Sequence, residues 1–346
     1  MTANLIKKHQ FYFFSTVLLL IILFISGCKS DSRIDINLKK IPVDFHVQRF
    51  EQDLFSLSPD NLPQGIHALK EKYPAFFGFF TSDIMQWDTA DTEANIRILL
   101  TDEVIGELMD SVNRVFGDFS VQEKILKEAF QRFSYHFPNI PVPQLLTSIT
   151  EFSFPTATDD SLLMVSLEMF LGENYPYYPS FGLPAYKIRR MNKEHLPLFA
   201  LTAWYDQIFG DYPPAAGGRF LDAIIEEGKQ MYFLEIMLPH IADTLSTGWR
   251  AEELSWLKSN EPQMWTYYID RKYLYSTDKI EYAPLINDAP FSSAPGIPPE
   301  SAPRIGVYSG WQIVRKYMRL HPELSLMELI LDTNADEILK GSGYRP

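Results

Sequence analysis

Glu227 is the residue whose type and spacing set it apart as possible chemistry. In the helical pattern of residues 219–239, Phe220, Ala223, Ile224, Glu227, Met231 and Leu234 share one face, while Asp222, Glu226, Lys229 and Gln230 share another. That spacing turns Glu227 inward. A carboxylate among apolar side chains must be paired, protonated or bound to a cation, because an unpaired buried charge costs several kcal/mol. Glu226 differs, since Lys229 three residues on and Arg219 behind it give an ordinary solvated ion-pair pattern.

A Glu-Gly pair on a helix that follows a β-hairpin and an earlier helix has the frame of HExxH…E zinc chemistry. There, two histidines one turn apart bind the metal, the glutamate between them activates water, and a later helical glutamate is the third ligand. Glu227-Gly228 stands at that third-ligand position. The helix that should carry the histidines, residues 194–209, contains Leu198, Phe199, Thr202, Ala203 and Asp206, with His195 only at its start. His46, His67, His136, His240 and His321 lie far away in sequence. The expectation is therefore no catalytic residue, no metal and no cofactor, with Glu227 a degenerate ligand position satisfied in the core by a hydrogen-bond donor. Glu226 and Glu227 cannot act as a facing carboxylate pair, because adjacent helical residues point about 100° apart. The stretch from Asp332 starts like a calcium loop, but Glu337 and Gly343 stand where glycine and glutamate are required, so it reads as a helix start.

The second reactive side chain is Cys28, the only cysteine. Lys7 and Lys8 precede a short apolar run that ends in Ile25-Ser26-Gly27-Cys28, the pattern of a bacterial lipoprotein signal in which the thiol accepts a diacylglycerol. The expected organisation is a signal peptide over 1–27, a tether over 28–40 and a single domain over 41–346. Lipid on Cys28 would anchor the protein in a membrane with its body outside the cytoplasm. Losing the two lysines takes the formal charge from −13 to −15, which argues against nucleic acid as a partner. With 46% hydrophobic and 14% aromatic residues, a large core replaces disulfides.

The elements that position these residues read as α+β, mostly helical with a small antiparallel sheet. A short strand lies within 41–50, and helical segments over 62–80 break at Pro74 around the Phe76, Phe77, Phe79 and Phe80 knot. Residues 91–137 are helical. One stripe is Val104, Ile105, Leu108, Met109, Val112 and Val115, and a capping box runs from Ser120 to Glu123. Strands over 144–154 and 162–170 form a hairpin turning at 158–161. Tyr175, Tyr177 and Tyr178, in a Tyr/Pro-rich loop over 173–186, are the candidate partner surface. Helices follow over 249–256, 262–272 and 308–320, with a proline-rich loop over 284–303 and a last helix over 336–340 stopped by Gly341.

The lipobox, Arg49-Phe50-Glu51-Gln52-Asp53-Leu54-Phe55, Lys72-Tyr73-Pro74, Leu171-Gly172, the run Leu221 to Lys229, Trp265, Tyr275-Ser276, and the run Arg304 to Val314 together resemble the GldB family of gliding-motility lipoproteins. The resemblance spans nearly the whole chain. It implies a cell-envelope protein that works with other gliding and type IX secretion proteins. That family is in turn similar to predicted HExxH peptidases, and from their motif only Glu227 carries over. The implied role is a non-catalytic scaffold or partner-binding component. The alternative is a zinc metallopeptidase or other envelope hydrolase with a non-standard site.

Overall fold

The computed structural model describes residues 33–210, 218–288 and 294–346. Cys28 and the stretch read as a signal peptide lie outside them. The chain divides into two units. Of Met1–Ile36 only the last four residues are described, and Asn37–Pro346 contains every element named below. Within the stretch read as a tether, Leu38–Lys40 winds a 3-10 turn, and Gln131 Nε2 donates to the Leu38 and Ile41 carbonyls at 3.0 and 2.8 Å.

The fold is α+β and mostly helical. Its sheet is mixed rather than antiparallel, with order β1 (Val47–Arg49), β2 (Gln144–Ser148), β4 (Leu162–Ser166), β3 (Thr156–Asp159). β2 runs parallel to both β1 and β4, with Leu145 opposite Leu163 and Leu146 opposite Met164. The antiparallel hairpin joins β3 to β4, not 144–154 to 162–170. The reason is burial on both faces: every position of β4 and all but the first of β2 are buried, which removes the alternation that would have shown their pairing. β3 is half-buried at the edge.

Helices surround the sheet. α1 (Phe50–Phe55), α2 (Leu62–Lys72) and α3 (Pro74–Gly78) pack the aromatic knot, in which the Phe50 ring lies 4.9 Å from Phe76, 4.9 Å from Phe80 and 5.2 Å from Tyr73. Pro74 starts α3, where its missing N–H costs nothing. α4 (Thr92–Thr101) leads to α5 (Glu103–Phe116), which Asp102 caps through the Val104 and Ile105 amides. Leu108, Met109 and Val112 form the buried stripe of α5, but Val104 is exposed. α6 (Ser120–His136) has no Ser120–Glu123 capping box: Asp118 Oδ1 accepts from the Ser120 amide, and Glu123 Oε1 accepts from Val47 N at 3.0 Å.

The remaining helices are α7 (Ala185–Ile188), α8 (Leu196–Phe209), α9 (Phe220–Met237), α10 (Asp243–Thr247), α11 (Ala251–Ser259), α12 (Glu261–Asp270) and α13 (Lys279–Ile286). α14 (Ile305–Leu320), α15 (Leu326–Leu331) and α16 (Ala335–Ser342) close the chain. Pro284, expected to open a loop, lies inside α13. Asn334 caps α16, which runs through Gly341 and stops at Gly343, whose φ of +53° suits glycine. No described helix is long and apolar enough to cross a membrane.

α8 lies on β3 and β4, and α9 packs against α8, α6 and, most closely, α14. The α9–α14 crossing depends on glycine. A Cβ on Gly310 would overlap the Ile224 carbonyl, and one on Gly228 would overlap the Gly310 carbonyl, so the two backbones touch. Gly228, expected to mark a ligand motif, is explained by this contact.

Candidate functional site

α9 is buried almost all round, and its charges do not sort as the helical spacing suggests. Lys229, expected on a solvated face, is fully buried. Its Nζ donates to Glu226 Oε1 at 2.7 Å, the Asp332 carbonyl at 2.5 Å and the Ile330 carbonyl at 3.4 Å, so the loop after α15 completes the ammonium's shell. Asp222 is buried too, held by Arg219 Nη2 at 2.7 Å, Nε at 3.0 Å and its own helix's first free amide. These pairs are closed by hydrogen bonds, as buried charges require.

Glu227 is only half-buried, and its carboxylate makes no hydrogen bond or ion pair among the described residues. It lines a cleft of about 290 Å³ between α8, α9 and the head of α14, together with Thr202, Asp206, Gln230, Arg190 and Arg304. The expected core donor is replaced by a facing charge. Burial pushes the Glu227 carboxyl up, Asp206 adds to this and Arg304 opposes it. Asp206 is also pushed up by burial, against a 2.7 Å hydrogen bond from Gln230 Nε2 to its Oδ1. The α8 residues on this cleft are Leu198, Phe199, Thr202, Ala203 and Asp206. His195 sits at the N-cap of α8 with Nδ1 2.8 Å from Asn192 Oδ1, and burial together with Arg190 and Arg189 brings it down to about 4. Among the described residues, no three His, Cys, Asp or Glu side chains converge as a cation would need.

The sequence reading missed the arginines. Arg304 precedes α14 with φ +56° and ψ 41°, a left-handed conformation unfavourable for a side chain with a Cβ and placed where a helix offers positive charge. Its Nη2 donates to the Thr247 carbonyl, and its Cζ lies 4.6 Å from the centre of the Trp249 ring. Its Nε is buried without a hydrogen-bond partner, Asp288 Oδ1 standing 3.9 Å away. Arg190 pairs with the other Asp288 oxygen. Arg189 reaches Glu253 at 3.5 Å and the Gly248 carbonyl at 3.3 Å. Burial brings Arg190 and Arg304 down to about 10; next to burial, Arg304 is the largest influence lowering Arg190, and Glu227 partly restores Arg304. Gly248, at φ +72°, threads between them, since a Cβ there would press on Arg190. The adjacent Arg189-Arg190 and the arginine heading the run 304–314 were the available signals.

The tyrosine loop divides. Tyr178 is buried, its hydroxyl donating to the Glu168 carbonyl at 2.7 Å and accepting from Leu171 N at 2.9 Å, so it cannot belong to a partner surface. Tyr175 is half-buried. Tyr177 and Phe181 are 44% and 48% exposed, and the Phe152 ring lies 4.3 Å from Phe181 and 6.2 Å from Tyr175, giving one aromatic patch. Glu168 beneath it is fully buried, and burial pushes it up to about 7, against hydrogen bonds from Thr150 and Phe152.

The first motif also has a structural account. Glu51, fully buried, accepts from Arg49 Nε and from Thr147 Oγ1, both at 2.6 Å, tying β1 and α1 to β2. Asp53 accepts from Lys72 at 2.5 Å and from Tyr73.

No curated protein and no solved structure gives a significant match to the chain. A family model described as gliding motility protein GldB matches residues 31–346, which include every described residue, and the chain belongs to that family of gliding-motility lipoproteins.

Proposed function

We propose that this protein is a lipid-anchored, non-catalytic component of the cell envelope. In this reading it supports gliding motility and the associated type IX secretion by binding a protein partner. Family membership supports the process. The observation that carries the binding role is the aromatic patch: Tyr177 and Phe181 stand out from a loop that buried Tyr178 pins to the 3-10 turn after β4, so apolar groups are presented at low ordering cost. The cleft beside Glu227 supports a non-catalytic body, because the α8 side chains one turn apart on it, Leu198 with Thr202 and Phe199 with Ala203, include none of the imidazoles that zinc chemistry needs.

The test is a Tyr177→Glu, Phe181→Glu double variant, measured for colony spreading and for melting temperature. Spreading should be lost with the melting temperature unchanged. Full spreading with these charges in place would remove the patch from the function.

A second reading, an envelope hydrolase, is favoured by one observation: Asp206 and Glu227, both pushed up by burial, share a cleft. Zinc at unit stoichiometry in the purified protein would favour its peptidase form over the scaffold.

A further inference from the structure

The cleft beside Glu227 carries two cationic and two anionic side chains, and the fold satisfies them only in part. Arg190, Arg304, Glu227 and Asp206 all line this one cleft. Asp288 pairs with both arginines from the neighbouring cavity, which Arg189, Glu253 and Arg304 also line, and Arg190 and Arg304 both stand on the wall of the Glu227 cleft. Among the described residues the Glu227 carboxylate accepts no hydrogen bond, and that of Asp206 accepts only the one from Gln230. Half-buried charges left this way are expensive unless something completes their shells. A single cation would satisfy the carboxylates and be repelled by the arginines, and a single anion would meet the converse.

We propose that this cleft binds a zwitterionic ligand of amino-acid or dipeptide size, its carboxylate on Arg190 and Arg304 and its ammonium on Glu227 and Asp206. The volume of about 290 Å³ lies at the small end of ligand sites. Guanidinium groups match a carboxylate's two oxygens, and the strained backbone of Arg304 places its side chain there. Thr202, Gln230 and Ser246 supply neutral polar groups, and Phe199 and Met231 an apolar wall. The inference is separate from the partner-binding role, and its failure would leave the aromatic patch untouched.

Calorimetry on the full-length protein in detergent tests it with three probes: alanyl-alanine, N-acetylalanine and alaninamide. Alanyl-alanine should bind, and each blocked analogue should bind at least about 10-fold more weakly, the scale of one lost charge-assisted hydrogen bond. Glu227→Gln should weaken alanyl-alanine while leaving N-acetylalanine unchanged, which a merely structural role would not do. Ala203→Leu, which fills the cleft without touching a charge, should weaken alanyl-alanine and keeps the test decisive if an arginine variant does not fold. No heat with alanyl-alanine, or N-acetylalanine binding as tightly as alanyl-alanine, would overturn the proposal.

Discussion

Around β1 an arginine and a glutamate are closed into a network, whereas under the head of α14 an arginine and a glutamate line a cleft. Glu51 has a donor on each oxygen, Arg49 on one and Thr147 on the other. Arg49 in turn donates to the Phe116 carbonyl at 2.9 Å and lies over the Phe119 ring. The network joins β1, β2, α1 and the end of α5, so its polar groups, apart from the buried and unpartnered Arg49 Nη2, replace hydration with fixed partners. Glu227 and Arg304 feel each other's charge without a hydrogen bond between them. Buried charge of the first kind specifies a fold; charge of the second kind remains available to a ligand.

The helix contact between α9 and α14 is where substitution costs most. Gly310→Ala forces a methyl into the Ile224 carbonyl and must part α9 from α14, costing on the order of 3 kcal/mol or more. Denaturant unfolding should show this loss, while an amide probe on β1 that tracks the Arg49 network stays protected longest.

Removing one partner from the closed network comes next. Glu51→Gln leaves the Arg49 guanidinium buried without a countercharge and should cost about 3 kcal/mol. A third case sharpens the contrast, because Glu168 is buried without any countercharge. Its folded value of about 7 lies above the ordinary 4.5, so its contribution to stability is full below pH 4.5 and is lost as pH rises through about 7. The total is ~3 kcal/mol as an upper scale. Glu168→Gln should flatten that part of the stability profile, measured by melting temperature between pH 4.5 and 7.5.

Local periodicity made part of this structure legible and hid the rest for physical reasons. The helices of residues 92–136 and the aromatic knot were readable because one side of each helix is apolar and the other wet. The sheet was not, since β2 and β4 are buried on both faces and strand partners lie far apart in sequence. Lys229 looked like surface because a lysine three residues from a glutamate usually is, and the carbonyls that bury it come from Ile330 and Asp332, a hundred residues later. Glu227 was found as the unusual residue of its helix. Its partners on the cleft, Arg190 after α7 and Arg304 at the head of α14, come from two loops whose only local signs were the adjacent Arg189-Arg190 pair and an arginine at a helix start. The same distance effect turned Ser120–Glu123 from a cap into a tie to Val47.

Glu227→Gln should change stability by no more than about 0.5 kcal/mol, because it removes a charge that burial already disfavours and leaves no hydrogen bond broken. Paired melting temperatures of the Glu51→Gln and Glu227→Gln variants at pH 7 therefore test the central distinction most directly. At roughly 2–4 °C per kcal/mol for a domain of this class, the first should fall by several degrees and the second should stay within about two of the parent. Equal falls in both would contradict the account and return Glu227 to the core as a structural ion pair.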